Sequence, residues 1–196
     1  MQRRAPADGG ALIARQMAAG EAQGYSAVAR TFHWVTAALV LTMLPIGISM
    51  ATFDLGPEVE DPLYHIHRSI GALVLVITAA RLVYRLLNPA PPLPVDMPAW
   101  QHLAALATHW GLYALLIVQP IVGWIATSAY RAPVLFFWMF ELPPIWQEDR
   151  PFSEAMFVVH RTMGILIAIL ICVHIGAALY HHFVLKDRVL GRMVSG

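Results

Sequence analysis

The chain has 196 residues, of which 58% are hydrophobic and only 13% are Asp, Glu, Lys or Arg. That is too apolar for a soluble domain and points to a membrane protein. A net charge of +1, with basic residues scattered rather than striped, excludes a nucleic-acid binder.

Residues 1–28 read as a cytoplasmic N-terminal extension. Arg3 and Arg4 suit the start of a signal peptide, but Arg15 and Glu21 interrupt the run that follows. Four apolar stretches are then long enough to cross a hydrocarbon core of about 30 Å: residues 31–52, 66–87, 103–129 and 155–183. Pro45 and Pro120 lie inside the first and third, where neighbouring helices accommodate the kink. The expected fold is all-α: an integral-membrane four-helix bundle running up-down-up-down over residues 29–188, with residues 189–196 as a cytoplasmic C-terminal tail. The single cysteine, Cys172, excludes an intrachain disulfide. It reads as a small buried hydrophobe.

None of the twelve acidic residues falls within a stretch. Asp54, Glu58, Glu60 and Asp61 are placed in the first connection; Glu141, Glu148, Asp149 and Glu154 are placed in the third. Arg3, Arg4, Arg15, Arg30, Arg81, Arg85, Lys186, Arg188 and Arg192 fall on the other side. Positive-inside counting puts both termini and the second connection in the cytoplasm. That second connection, NPAPPLPVDMP, is proline-rich and expected to be short and stiff. The third contains APVLFFWMFELPPIW, which reads as an interfacial aromatic belt and is compatible with a lid over a group at the outer side.

Nine histidines are many for such a chain, and polar groups in lipid usually have a role or a partner. His160 and His174 share the last stretch, 14 residues apart in FVVHRTMGILIAILICVHIGAALYHH. On a helix this puts them on nearly one face and about 21 Å apart, too far to share an ion. Depth sorts the rest. His65 and His67 join His160 towards the outer side, His33 and His109 join His174 towards the inner side, and His102, His181 and His182 lie at the inner boundary. Zinc or copper needs three or four ligands on one ion. The adjacent His181 and His182 point about 100° apart on a helix. Two levels of facing imidazoles instead suit two haems stacked through the membrane.

A porphyrin lies flat against the helix that ligates it, so a same-face neighbour at i+4 must be small. His33 has Ala37, His67 has Gly71, His160 has Gly164 and His174 has Ala178; His109 has Tyr113, His102 has Leu106, His181 has Leu185 and His182 has Lys186. This favours an outer pair of His67 with His160 and an inner pair of His33 with His174. His109 is the rival to His33. His65, with Ser69 at i+4, is not excluded. Arg68 and Arg161 follow two of these histidines and are candidate partners for haem propionates, since the guanidinium fork matches a carboxylate; interfacial snorkelling is the plain alternative. His181 and His182 are candidates for quinone binding or proton delivery, because imidazole titrates near neutral pH.

FHW, IHRSIG, RLVYRL with its proline run, HWGLYALLIVQPIVG and HRT(x)11HIGAALYHHFVLKDRVLGRM occur in this order. Together they resemble the bacterial cytochrome b-561 family over roughly residues 29–194. The resemblance implies a four-helix di-haem b cytochrome of the inner membrane, with His33, His67, His160 and His174 as axial ligands. It also implies electron exchange with quinone and, within the family, oxidation of periplasmic superoxide. His109 matches a recurring family position with no assigned role. Arg68 and Arg161 depart from the superoxide-oxidising pattern, and the outer loops are net acidic. An anionic donor would therefore need a local funnel made by Arg68, Arg131, Arg150 and Arg161. Two other readings stay open: a cytochrome b membrane-anchor subunit of a larger dehydrogenase or hydrogenase, docked through the aromatic third connection, and a haem-free transporter. No carboxylate is hidden within a stretch, as a proton-coupled transporter would need.

Overall fold

The computed structural model describes residues 24–93 and 97–196. Residues 1–23, most of the expected N-terminal extension, lie outside the described residues, as do residues 94–96 of the proline-rich connection. Four long helices follow in order: α1 (Ala27–Thr52), α2 (Pro57–Leu87), α3 (Ala99–Tyr130) and α4 (Arg150–Tyr180). Each is long and apolar enough to cross a membrane, the last continuing to Leu185. The four-helix membrane bundle read from the sequence is therefore present.

Local chemistry sets the helix starts. The Ser26 hydroxyl accepts the Ala29 N–H at 3.2 Å and caps α1. The Asp149 carboxylate accepts the Phe152 N–H at 3.0 Å and caps α4, with Pro151 in its first turn. Gly56 takes φ +73°, open to glycine, and Pro57 then begins α2. Helix α2 starts nine residues before its apolar stretch, so Glu58, Glu60 and Asp61 are helical rather than in a loop. Carboxylates there complement the positive end of the helix dipole.

Consecutive helices pack together, and α4 lies closely along α3 while standing off from α1 and α2. The core of Val40, Ile70, Val74 and Ile167 is wrapped by Leu39, Met43, Leu115, Leu116 and Phe137. It forms a slab at mid-height. Cys172 is exposed on the outer surface of the bundle rather than buried. In a membrane span the outside is apolar too, so hydrophobicity does not separate core from lipid face.

The third connection adds a two-stranded antiparallel hairpin, β1 (Val134–Phe136) and β2 (Phe140–Leu142). Its turn places Phe137 and Trp138 at φ 44° and 60°, left-handed positions that cost a non-glycine residue about 1–2 kcal/mol each. Neighbouring groups hold them there. The Ser69 hydroxyl, fully buried on α2, accepts the Phe137 N–H at 2.8 Å and lies 3.0 Å from the Leu135 carbonyl. Phe137 packs on the core, and the Trp138 ring lies 5.8 Å from that of His65. At the other end, a π-turn (His181–Leu185) and the short α5 (Gly191–Val194) fold back: the Tyr25 N–H donates to the Arg192 carbonyl and the Trp34 indole to the Met193 carbonyl.

Candidate functional site: two levels of facing imidazoles

At the hairpin end, His67 of α2 faces His160 of α4 with ring centroids 6.1 Å apart. Both rings sit where a neighbouring helix has no side chain. A Cβ at Gly47 of α1 would lie 3.2 Å from Cε1 of His67, and one at Gly123 of α3 would lie 2.8 Å from Cε1 of His160. Nδ1 of His160 is 3.1 Å from the Gln119 carbonyl oxygen. A carbonyl only accepts, so Nδ1 carries the proton and Nε2 keeps its lone pair. The Gln119 side-chain amide returns a bond of 2.9 Å to the His160 carbonyl, clamping the ring's base. Nδ1 of His67 and Nδ1 of His65 are buried without a hydrogen-bond partner.

At the end that carries the termini, His33 of α1 faces His174 of α4 with centroids 6.0 Å apart. His109 of α3 approaches His174 more closely, at 5.4 Å. Arg81 of α2 places Nη2 3.0 Å from Nδ1 of His33, and its guanidinium lies over the Tyr113 ring at 5.1 Å. All four helices thus meet at this level. The core slab of Val40, Ile70, Val74 and Ile167 lies between the two levels, with Ile167 midway in sequence between His160 and His174.

Two imidazole nitrogens bound to opposite sides of one metal, at about 2 Å each, set their ring centroids about 6 Å apart. The His67–His160 and His33–His174 pairs have this spacing; His109–His174 is tighter. Among the described residues, no group of three or more His, Cys, Asp or Glu is placed to hold a bare ion. The donor sets offer facing pairs, which is what a metal already held in a planar ring requires. The proton-on-Nδ1 state of His160 is also the usual one for a ligating imidazole, which donates its other N–H to a carbonyl. The residues present therefore fit haem iron.

The remaining predicted residues are dispersed. Arg68 donates to the Pro133 carbonyl at 2.9 Å and stacks over Tyr64, while Arg161 is exposed. Arg131 pairs with Glu148 at 3.5 Å and Arg150 lies 3.8 Å over the Tyr130 ring, so three of the four arginines of the expected funnel are engaged by neighbouring groups. His181 is bonded through Nδ1 to Asp187, which also accepts the Val189 N–H at 2.9 Å. His182 is exposed beside Phe183, and His102 is exposed in the first turn of α3. Sequence reasoning missed Gly47, Gly123, Gln119, Ser69 and Arg81. Only Arg81 carried a signal, being a cation inside an apolar stretch.

A membrane-length four-helix bundle with two levels of paired imidazoles defines a class, that of helical membrane proteins holding redox groups between their helices. The family described as prokaryotic cytochrome b561 matches residues 24–196. Cytochrome b561 homolog 2 of Escherichia coli K12 is 31% identical over 176 residues, covering 87% of this chain and 91% of that protein. The probable superoxide oxidase CybB of Yersinia pestis is 30% identical over 175 residues, covering 87% and 95%. Cytochrome b562 of Cereibacter sphaeroides is 27% identical over 178 residues, again covering 87% and 95%. The chain belongs to the prokaryotic cytochrome b561 family, whose members are haem b membrane proteins of electron transfer.

Proposed function

We propose that this chain carries electrons across the bacterial inner membrane between a small periplasmic donor and quinone, using two haem b groups. His67 and His160 hold one, His33 and His174 the other, with both termini in the cytoplasm. The observation that supports this most is the pair of centroid distances, 6.1 and 6.0 Å, at two levels separated by an apolar slab. Haem iron ligated on both faces by imidazole supplies one-electron transfer and leaves no open position for oxygen.

The protein's own groups do the rest. Gly47 and Gly123 make room for the rings, and the Gln119 carbonyl fixes the His160 tautomer. Val40, Val74 and Ile167 keep water from the space between the levels. His181, oriented by Asp187, lies at the cytoplasmic boundary, where it serves as the group that passes a proton to reduced quinone; the exposed His182 is the second candidate. Superoxide is the proposed donor class, in line with the 30% identical probable superoxide oxidase. Arg161 and the remaining donors of Arg68 supply the local positive charge.

Two measurements test this. Dithionite reduction of the purified protein should yield a b-type alpha band at two haems per chain; its absence removes the proposal. Stopped-flow mixing with superoxide should reduce the haems, and added ubiquinone should reoxidise them; no reduction removes superoxide as donor and leaves the electron-carrier reading standing.

A further inference from the structure

Arg81 is an interior group that the electron-transfer reading leaves without a task. It lies within α2, one turn beyond the fully buried Thr78. A guanidinium within a membrane span is costly and is expected to have a partner of opposite charge. Neither of the two ion pairs among the described residues includes Arg81. Its contacts are an uncharged imidazole nitrogen of His33 and the face of Tyr113. Arg85, one turn further along α2, adds a second cation and no anion.

The contact with His33 has a chemical consequence. A guanidinium has donors and no acceptor, so Arg81 sets a fixed positive charge beside the ring at this level. At the other level the corresponding neighbour of His160 is neutral, the Gln119 carbonyl. The two levels are therefore prepared differently. Haem brings an anion suited to receive the guanidinium, a propionate carboxylate that the planar fork can bind through two N–H groups.

Resting on the haem reading above, we propose that Arg81 is the positioning residue for haem at the His33–His174 level, its guanidinium binding a haem propionate there. Filling of this level thereby depends on the acid groups of the porphyrin and not on iron ligation alone.

The test uses the full chain in detergent, prepared without haem and carrying His67→Ala to close the other level. Iron protoporphyrin IX and its dimethyl ester are titrated separately, reading the low-spin Soret band. With Arg81 present, the diacid should bind about tenfold or more tighter than the diester. Arg81→Gln should weaken the diacid to the level of the diester. It should leave binding of the diester as in the parent; a residue that merely supports the fold would weaken both. Arg81→Lys should restore part of the preference. Equal binding of the two porphyrins by the parent, or an unchanged preference in Arg81→Gln, overturns the proposal. Should Arg81→Gln fail to fold, the parent comparison and Arg81→Lys decide. If neither porphyrin gives a low-spin spectrum with the chain carrying all its histidines, the haem reading itself has failed, and this inference with it.

Discussion

The Gln119 carbonyl oxygen lies 3.1 Å from Nδ1 of His160, and the Gln119 amide returns a bond to the His160 carbonyl. One residue of α3 therefore fixes both the tautomer of the imidazole and the height of the helix turn that carries it. This works only because the ring tucks against α3 at Gly123, four residues on.

That close approach gives the first prediction. A Cβ at Gly123 would lie 2.8 Å from Cε1 and 3.0 Å from Nδ1 of His160. Gly123→Val should displace the ring and halve the haem content measured by pyridine haemochrome. Gly47→Ala meets Cε1 of His67 at 3.2 Å, a contact that a shift of a few tenths of an ångström relieves, and should retain both haems with weaker binding of one. Gly176→Ala, with nothing within 4 Å, should match the parent. Full haem content in Gly123→Val would show that His160 does not need its present seat.

The four proposed ligands separate by level. His67→Ala and His160→Ala should each lose the same haem, and His33→Ala and His174→Ala should each lose the other. His109→Ala should keep both, because its ring lies tighter to His174 than facing axial ligands allow. Haem content and the low-spin EPR signals of the five variants check this. Retention of both signals in His33→Ala, with loss in His109→Ala, would exchange their roles.

Much of this was legible in the sequence because the lipid makes it so. Membrane-length apolar runs announce the helices, and the 14-residue interval from His160 to His174 sets the two levels before any packing is known. The steric rule looked for space on the ligand's own helix, at Gly71 and Gly164. In the fold those glycines face Met43 and Gln119 at 3.6 and 3.4 Å. The glycines that touch the imidazoles, Gly47 and Gly123, come from other helices, and that is a tertiary relation with no sequence period. The hairpin was hidden for a related reason. Phe137 and Trp138 are poor residues for left-handed positions, and only Ser69, a long way off in sequence, makes the turn hold.

Ser69 accordingly carries a prediction of its own. Its hydroxyl accepts the Phe137 N–H inside a fully buried site, so Ser69→Ala leaves that donor without a partner. The cost is about 1–3 kcal/mol, concentrated on a turn already in a strained conformation. Amides of residues 134–142 should exchange faster by about tenfold or more, with the four long helices unchanged. Dithionite should also reach the haem at the hairpin end faster. Unchanged exchange in the hairpin would mean that the packing of Phe137, and not the hydroxyl, holds it down.

The last prediction concerns the opposite boundary. The His181 side chain is only 12% exposed and Asp187 28%, so the pair is held at the bundle's edge rather than in open solvent. The carboxylate receives Nδ1–H and points Nε2 away from itself, the arrangement in which an imidazole moves a proton to a bound acceptor. Asp187→Asn keeps the size but removes the charge that orients the ring. It also keeps an oxygen for the Val189 N–H, so the turn after the π-helix should survive. Haem content and the reduced spectrum should be those of the parent. Reoxidation of the prereduced protein by ubiquinone should slow by about 10–100-fold, and His181→Ala should slow it at least as much. His182→Ala should leave the rate within about twofold, since that ring is exposed and has no orienting carboxylate among the described residues. A normal rate in Asp187→Asn together with a slow one in His182→Ala would move the proton-delivering role from His181 to its neighbour.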